Sequence, residues 1–161
     1  MSSSRRTARL ASIALGLASL TLAQQPASPP KAVFSNLAQA KWADAPPMLP
    51  PGAKIDVLAG NPMGSSLYAV RLKFPANYKI PAHSHPTDEN VTVLSGTLYA
   101  GMGDKLDPKA GQALHVGGFA MMPAGMNHYA YTKGETIILL HGQGPVEFKY
   151  VNPADDPRNK K

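Results

Sequence analysis

The sequence has 161 residues, with 16 lysines and arginines against 10 aspartates and glutamates, and it contains no cysteine. This length fits one modest domain, and the lack of cysteine excludes disulfide scaffolds, thiolate metal sites and cysteine nucleophiles. Three of the basic residues lie in the leader described next, and the excess that remains is too small to indicate a nucleic-acid partner.

The N-terminal segment has the pattern of a secretory signal peptide. Three basic residues come first: Arg5, Arg6 and Arg9. An apolar run then covers residues 10–23 and is shorter than the ~20 residues that a permanent membrane anchor needs. Small residues at Thr21 and Ala23 favour cleavage after Ala23. We therefore predict a signal peptide over residues 1–23, a periplasmic or secreted protein, and no stable membrane anchor after cleavage; the alternative is an uncleaved anchor.

The rest of the chain divides into a spacer, a domain and a tail. Residues 24–40 begin with the proline-rich stretch QQPASPP and are predicted to form a flexible spacer and lead-in. A helix is favoured only near residues 33–41 or as a turn around 107–114. The domain is predicted over residues 41–152, and the polar tail at 153–161 is predicted to be disordered.

Short apolar or alternating segments recur throughout the predicted domain. In chain order they are IDVLA, SLYAVRLKF, ENVTVLSGTLYA, GGFAMMP, HYAYT, ETIILL and VEFKYV. Many of the 14 glycines and 16 prolines fall between them, as turn signals do. Strands of 4–8 residues at this spacing are typical of a sandwich or barrel. The pattern therefore predicts an all-β fold in a single domain.

The histidines are concentrated in one part of the sequence. His83 and His85 lie two residues apart, so that on an extended strand both imidazoles point to the same face. Glu89 follows beyond a Pro-Thr-Asp turn, and a hairpin can bring its carboxylate over the histidine pair. This donor set is typical of borderline divalent metals such as iron, manganese, nickel, cobalt or zinc. His128, directly after a tight turn, is the candidate for one more ligand.

The first group of residues resembles a motif of the cupin family. That motif runs Gly, five residues, His-x-His, three or four residues, Glu, six residues, Gly. His83, His85, Glu89 and Gly96 match it in register. Asn77 stands where the leading glycine is usual, and asparagine also tolerates a positive φ angle.

The second cupin motif is matched further along the chain. It runs Gly, five residues, Pro-x-Gly, two residues, His, three residues, Asn. Gly117, Pro123, Gly125 and His128 match, and Thr132 replaces the final asparagine. That asparagine is not a metal ligand in the family. The resemblance covers about residues 50–152.

The resemblance implies a double-stranded β-helix barrel of the jelly-roll type with one divalent transition metal ion inside its mouth. His83, His85, Glu89 and His128 would bind the ion. Three imidazoles and one carboxylate leave one or two positions of a five- or six-coordinate ion open for water, dioxygen or substrate. The alternatives are a metal that only stabilises the barrel, or empty histidines that are hydrogen-bonded.

Other side chains are weaker candidates for the site. His141 lies on one strand face with Ile137 and Leu139, either in the barrel or on the outer sheet, and is a weak candidate for a catalytic acid or base. His115 is expected on the surface, and Ser84 is expected to point away from the ligands. Four residues lie on strands that flank the barrel, and some of them would line the pocket: Tyr68, Arg71, Tyr99 and Met102. Three methionines would supply an apolar wall beside the metal: Met121, Met122 and Met126.

Three classes of function are compatible with these features. The first is an exported, oxygenase-like oxidoreductase that acts on a small organic molecule, with Glu89 as ligand and proton acceptor. Isomerases and decarboxylases that use the metal as a Lewis acid share the same ligands. The second is a non-catalytic periplasmic module that binds or senses a metal or small ligand. The third is an envelope protein whose barrel serves dimerisation, and a homodimer is expected because open sheet edges need covering.

Overall fold

The computed structural model describes residues 31–160, so that the predicted signal peptide and the start of the spacer lie outside the described residues. From Ala32 onward these residues belong to one compact unit. They form eleven strands: β1 Ala43–Asp44, β2 Lys54–Ala59, β3 Leu67–Phe74, β4 Lys79–Ser84, β5 Glu89–Ser95, β6 Leu98–Met102, β7 Gln112–Leu114, β8 Phe119–Met122, β9 His128–Thr132, β10 Thr136–Gln143 and β11 Lys149–Tyr150. Three short 3-10 turns complete the structure: Leu37–Gln39, Pro153–Asp155 and Pro157–Asn159. Within this part of the chain, no helix has the length and apolar character needed to cross a membrane.

The strands make two antiparallel sheets that face each other. The large sheet has the order β1-β2-β3-β10-β5-β8, and the small sheet has the order β11-β4-β9-β6-β7. Neighbours in space are mostly distant in sequence, as in a jelly roll, in which the chain passes repeatedly from one sheet to the other. The predicted all-β jelly-roll fold is confirmed.

Alternating burial explains why these segments are strands. In β3 the inward positions are Tyr68, Val70, Leu72 and Phe74, all of which are buried. In the middle of β5 and β10 the inward positions are also apolar: Val91 and Val93, and Ile138 and Leu140. Burial of each large apolar side chain contributes about 1.5–3 kcal/mol. The core therefore lies between the two sheets, and the large sheet contributes more of it than the small sheet does.

Two predictions about the ends of the domain need correction. Near residues 33–41 only the short 3-10 turn forms, because it buries no side chain that could stabilise a longer helix. The tail at 153–161 is predicted to be disordered, but two 3-10 turns form there. The side chains of Asn152 and Asp156 cap these turns, and the Arg158 guanidinium donates to the carbonyl of Phe148 at 2.9 Å.

The turn between β3 and β4 explains both departures from the cupin motifs. Asn77 has a φ angle of 60° and is the one residue other than glycine with a positive φ among residues 31–160. The hydroxyl of Thr132 accepts a hydrogen bond from the Tyr78 N–H at 3.1 Å and donates one to the Pro75 carbonyl at 2.7 Å. Thr132 therefore fastens the end of β9 to this turn.

Replacing Thr132 with valine should lower the free energy of unfolding by about 1–3 kcal/mol, because the variant leaves a buried N–H and a carbonyl without a partner. Thr132 is only 3% exposed, so water cannot easily replace the hydroxyl. Urea unfolding of the two proteins measures the difference. The matched control is Thr92→Val, since Thr92 is half-buried on the outer face of β5. Equal losses in both variants would contradict this role of Thr132.

Candidate metal centre

Two of the predicted ligands lie opposite each other on neighbouring strands of the small sheet. His83 in β4 pairs with His128 in β9, and Ile80 pairs with Ala130. Between these two pairs β4 has one residue more than β9, which is a β-bulge, and Pro81 lies within it. Ile80 and His83 both line the interior, although strict alternation would place them on opposite faces. The bulge therefore turns His83 inward.

His85 lies just after β4, in a loop that is tied to the loop before β9. The N–H of Gly125 donates to the carbonyl of His85 at 2.8 Å, and the N–H of Ala124 donates to the Asp88 carboxylate at 2.8 Å. Gly125 has a φ angle of 74°, which glycine adopts without strain. These bonds join the loops of the two sequence motifs and place His85 beside His128.

Glu89 begins β5 in the large sheet and reaches the histidines from the other side of the barrel. Its two carboxylate oxygens lie 3.3 Å from Nε2 of His85 and 3.4 Å from Nε2 of His128. The possible ligand nitrogens of the three histidines lie within 4.8 Å of one another. The structure thus brings all four predicted residues into one cluster, to which both sheets contribute.

A backbone carbonyl orients each of the three imidazoles. The distances from Nδ1 to these carbonyl oxygens are 2.7 Å for His83 and Pro81, 2.6 Å for His85 and Glu147, and 3.0 Å for His128 and Met126. A carbonyl oxygen can only accept a hydrogen bond, so each Nδ1 carries the hydrogen and each neutral ring keeps a lone pair on Nε2. Histidines that bind metals commonly donate their other N–H in this way.

Two imidazole nitrogens of this cluster are placed as ligands of a cation would be. Nε2 of His85 and Nε2 of His128 are buried, and no hydrogen bond within the described residues satisfies either atom. Each faces an oxygen of Glu89, and two acceptors attract each other only when a cation lies between them. Donors that are each ~2.1 Å from one ion lie about 3.0–3.4 Å apart at ordinary coordination angles. The distances between Glu89 and the histidines fall within this range.

Burial and charge also set the protonation of the cluster. Burial lowers the pKa of His83 to about 3, with further lowering by His128 and His85, so the His83 ring is neutral at ordinary pH. Burial raises the pKa of Glu89, but its contacts with His128 and His85 outweigh this effect and hold the pKa well below its usual range. Burial lowers the pKa of His85, but Glu89 outweighs this effect and raises it. A metal ion at this Nε2 would therefore displace a proton.

Three residues of the cluster, His83, Glu89 and His128, line a cavity of about 70 Å³, which has room for a ligand of only a few heavy atoms. Tyr68, His83, Glu89 and His128 supply its polar lining. Burial and the charge of Glu89 raise the pKa of Tyr68, so its hydroxyl stays protonated at ordinary pH. Apolar side chains of both sheets make up nearly all of the remaining wall, among them Val70, Leu72, Phe74, Val91, Leu140 and Phe148.

The structure does not bring His141 to this site. Leu140 points into the core, and alternation along β10 therefore turns His141 to the outer face of the large sheet, where it is exposed. His141 is therefore too far from the cluster's side of the sheet to act as a catalytic acid or base there, contrary to the prediction. His115 is exposed, as predicted, and lies 3.3 Å from the hydroxyl of Thr97.

The other weaker candidates divide between the cavity and the surface. Tyr68 and Met122 line the cavity. Met121 and Met126 are each 49% exposed, so only one of the three methionines forms the predicted wall. The rest do not line the cavity: Met102 is exposed, Tyr99 stacks on Tyr131, and Arg71 pairs with Asp56. Ser84 is buried but is not part of the cavity lining.

Phe148 belongs to the site and is not among the predicted site residues. Its ring stacks on His83 with the centroids 4.5 Å apart and meets His85 edge-on at the same distance. It lies next to β11, which pairs with β4 at the end of the barrel. This pairing joins residues more than sixty positions apart, and no local pattern around Phe148 indicates it.

Comparison with known proteins gives one family match. Residues 30–147 match the model of a family described as the ChrR Cupin-like domain. Among curated proteins, none matches the chain.

Several solved structures have a similar fold. The polyketide cyclase RemF from Streptomyces resistomycificus has a TM-score of 0.65 and 16% identity, covering 79% of this chain and 90% of its own. An RmlC-like cupin from Shewanella frigidimarina NCIMB 400 has a TM-score of 0.54 and 19% identity over 70% of this chain and 91% of its own. KdgF from a Halomonas species has a TM-score of 0.52 and 19% identity over 71% of this chain and 96% of its own. At these identities the likeness shows the fold alone.

Proposed function

The chain belongs to the ChrR cupin-like family, as its two motifs predict, and from this premise we propose that it is an exported cupin with a single metal ion that acts on a small organic molecule as an oxygenase-like oxidoreductase. The observation that carries the metal proposal is the pair of buried, unsatisfied Nε2 atoms that face the two oxygens of Glu89. Export is supported by the sequence of residues 1–23.

In this proposal each residue of the cluster has a defined role. His83, His85 and His128 provide neutral nitrogen donors, and Glu89 provides an ionised carboxylate that can also accept a proton. Four protein ligands leave one or two positions of a five- or six-coordinate ion open, and the adjoining cavity gives a ligand room to reach them. When bound, iron, manganese, nickel or cobalt would supply Lewis-acid or redox chemistry at that position. The apolar wall limits water around it and favours a ligand with a short hydrocarbon part.

The test is elemental analysis and oxygen uptake of the protein purified from the periplasm without a histidine tag. We expect the mass of the purified protein to correspond to a chain that begins at Gln24. We expect it to contain about one equivalent of iron, manganese, nickel or cobalt. With at least one compound from a panel of small organic acids and diketones, it should consume oxygen in a metal-dependent way. Removal of the metal by a chelator should abolish the uptake, and its return should restore it.

Three outcomes would contradict separate parts of the proposal. Protein found only in the cytoplasm with its N-terminus intact would exclude export. Stoichiometric zinc without oxygen uptake would exclude the oxygenase and favour Lewis-acid chemistry or a binding module. A folded protein that binds none of iron, manganese, nickel, cobalt or zinc would exclude the metal centre itself.

A further inference from the structure

Tyr68 lies in the same row of the large sheet as Glu89. In the register of the sheet, Gly142 of β10 pairs with Tyr68 of β3 on one side and with Glu89 of β5 on the other. All three are inward positions, since alternation along β3, β5 and β10 places them on the cavity side. Tyr68 and Glu89 are therefore two strands apart, about 10 Å between their backbones.

Gly142 leaves the space that the Tyr68 ring uses. A Cβ atom on Gly142 would lie 3.4 Å from the Tyr68 hydroxyl oxygen and 3.6 Å from its ring carbon Cε1. The phenol therefore extends across β10 towards Glu89, and its oxygen lies over the strand that separates the two residues. This places a hydroxyl group in a cavity whose lining also includes His83, Glu89 and His128.

The hydroxyl of Tyr68 differs from those of the other buried tyrosines. Each of the others donates a hydrogen bond to a backbone carbonyl: Tyr78 to Pro50, Tyr129 to Asp107, Tyr131 to Pro108 and Tyr150 to Met48. Tyr68 is 6% exposed, and no side-chain hydrogen bond of its hydroxyl is formed within residues 31–160, whereas the four others are each bonded. Since Tyr68 lines the cavity, its O–H can donate to a ligand there without breaking a hydrogen bond inside the protein.

We propose that the Tyr68 hydroxyl donates a hydrogen bond to an anionic oxygen of the ligand that occupies the open position beside Glu89. This inference rests on the proposed function, because that open position exists only when the cluster holds a metal ion. The ligand class follows from the cavity: a carboxylate or enolate with a short hydrocarbon group, since a metal and a hydroxyl donor would both face an anionic oxygen, most of the lining is apolar and the volume is about 70 Å³. Tyr68 is thus a residue that recognises the substrate and does not hold the metal.

The experiment titrates acetate into the cobalt-loaded full-length protein and follows the visible absorption of the cobalt. The variant is Tyr68→Phe, which keeps the ring and removes only the hydroxyl. We expect both proteins to hold about one cobalt ion and the variant to bind acetate at least about tenfold more weakly, which is the effect of one hydrogen bond to a charged acceptor. The matched control is Tyr131→Phe, because Tyr131 is on the outer face of the small sheet and its hydroxyl bonds to a backbone carbonyl.

The outcomes separate this inference from the proposed function. If the wild type takes up no cobalt, the metal centre is wrong and this inference falls with it. If cobalt binds but acetate does not perturb its absorption, or if Tyr68→Phe binds acetate within about twofold of the wild type, the metal centre stands and the role of Tyr68 is wrong. A loss of acetate affinity in Tyr131→Phe as large as in Tyr68→Phe would also overturn the inference, since it would show a general structural effect.

Discussion

Replacing His128 with alanine should abolish stoichiometric metal binding and leave the barrel folded. His128 is the one predicted ligand contributed by β9, and its buried Nε2 has no hydrogen bond in the described part of the chain. Loss of a residue that merely orients a ligand weakens metal affinity 10–100-fold, so removal of the ligand itself should weaken it by more than about 100-fold. Elemental analysis after dialysis and competition titration with a chromophoric chelator measure the loss.

The matched control for this variant is His141→Ala. The chemical change is the same, but His141 is exposed on the outer face of the large sheet, and its removal should leave the metal content at the wild-type value. Circular dichroism and cooperative unfolding of the metal-free proteins show whether both variants are folded. If folded His128→Ala keeps its metal with unchanged affinity, His128 is not a ligand.

Replacing Arg71 with methionine should lower the free energy of unfolding by about 3–5 kcal/mol, which is the usual cost of leaving a buried charge without its partner. The Arg71 guanidinium lies 3.1 Å from the Asp56 carboxylate, and the two side chains are only 8% and 9% exposed. The same guanidinium donates to the carbonyls of Ser35 and Asn36. The substitution therefore leaves the Asp56 carboxylate without a positively charged partner. It also removes the hydrogen bonds that hold the backbone of Ser35 and Asn36.

Urea unfolding at neutral pH measures this loss, and a double variant distinguishes its cause. Arg71→Met combined with Asp56→Leu should recover much of the stability, because two apolar side chains need no charge partner. Metal content should be unchanged in both proteins, since Arg71 is on the outer face of the large sheet, away from the histidines. A loss below about 1 kcal/mol in Arg71→Met would show that the ion pair contributes no more than an exposed one does.

The amino-acid sequence predicts which four side chains lie together, because its spacing carries geometric information. His83 and His85 are two residues apart, and the turn signals before Glu89 and His128 indicate where the chain reverses. A strand has a period of two, so the pattern states which side chains share a face. It does not state which face is the inner one. For this reason His141 can be placed with Leu139, but only the packing of β10 shows that both are on the outside.

Other features depend on contacts between distant parts of the chain. The bulge in β4 is a mismatch between two paired strands, and neither strand alone reveals it. Phe148 reaches the histidines because β11 joins the edge of the small sheet. The ion pair of Arg71 and Asp56 depends on the register of β2 with β3. Long-range register of this kind is fixed by packing of the whole core and not by local residue preference.

The carbonyl groups behind the three imidazoles have a consequence for binding entropy. Two of them belong to residues two positions before the histidine, Pro81 before His83 and Met126 before His128, so the local backbone itself fixes the ring orientation. Immobilising a free side chain costs about 0.5–1.5 kcal/mol when a complex forms. Here the rotamers of the ligands are already restricted in the folded chain, and that entropy is lost during folding. An incoming ion therefore meets donors that need little further ordering, and its affinity is not reduced by the cost of arranging them.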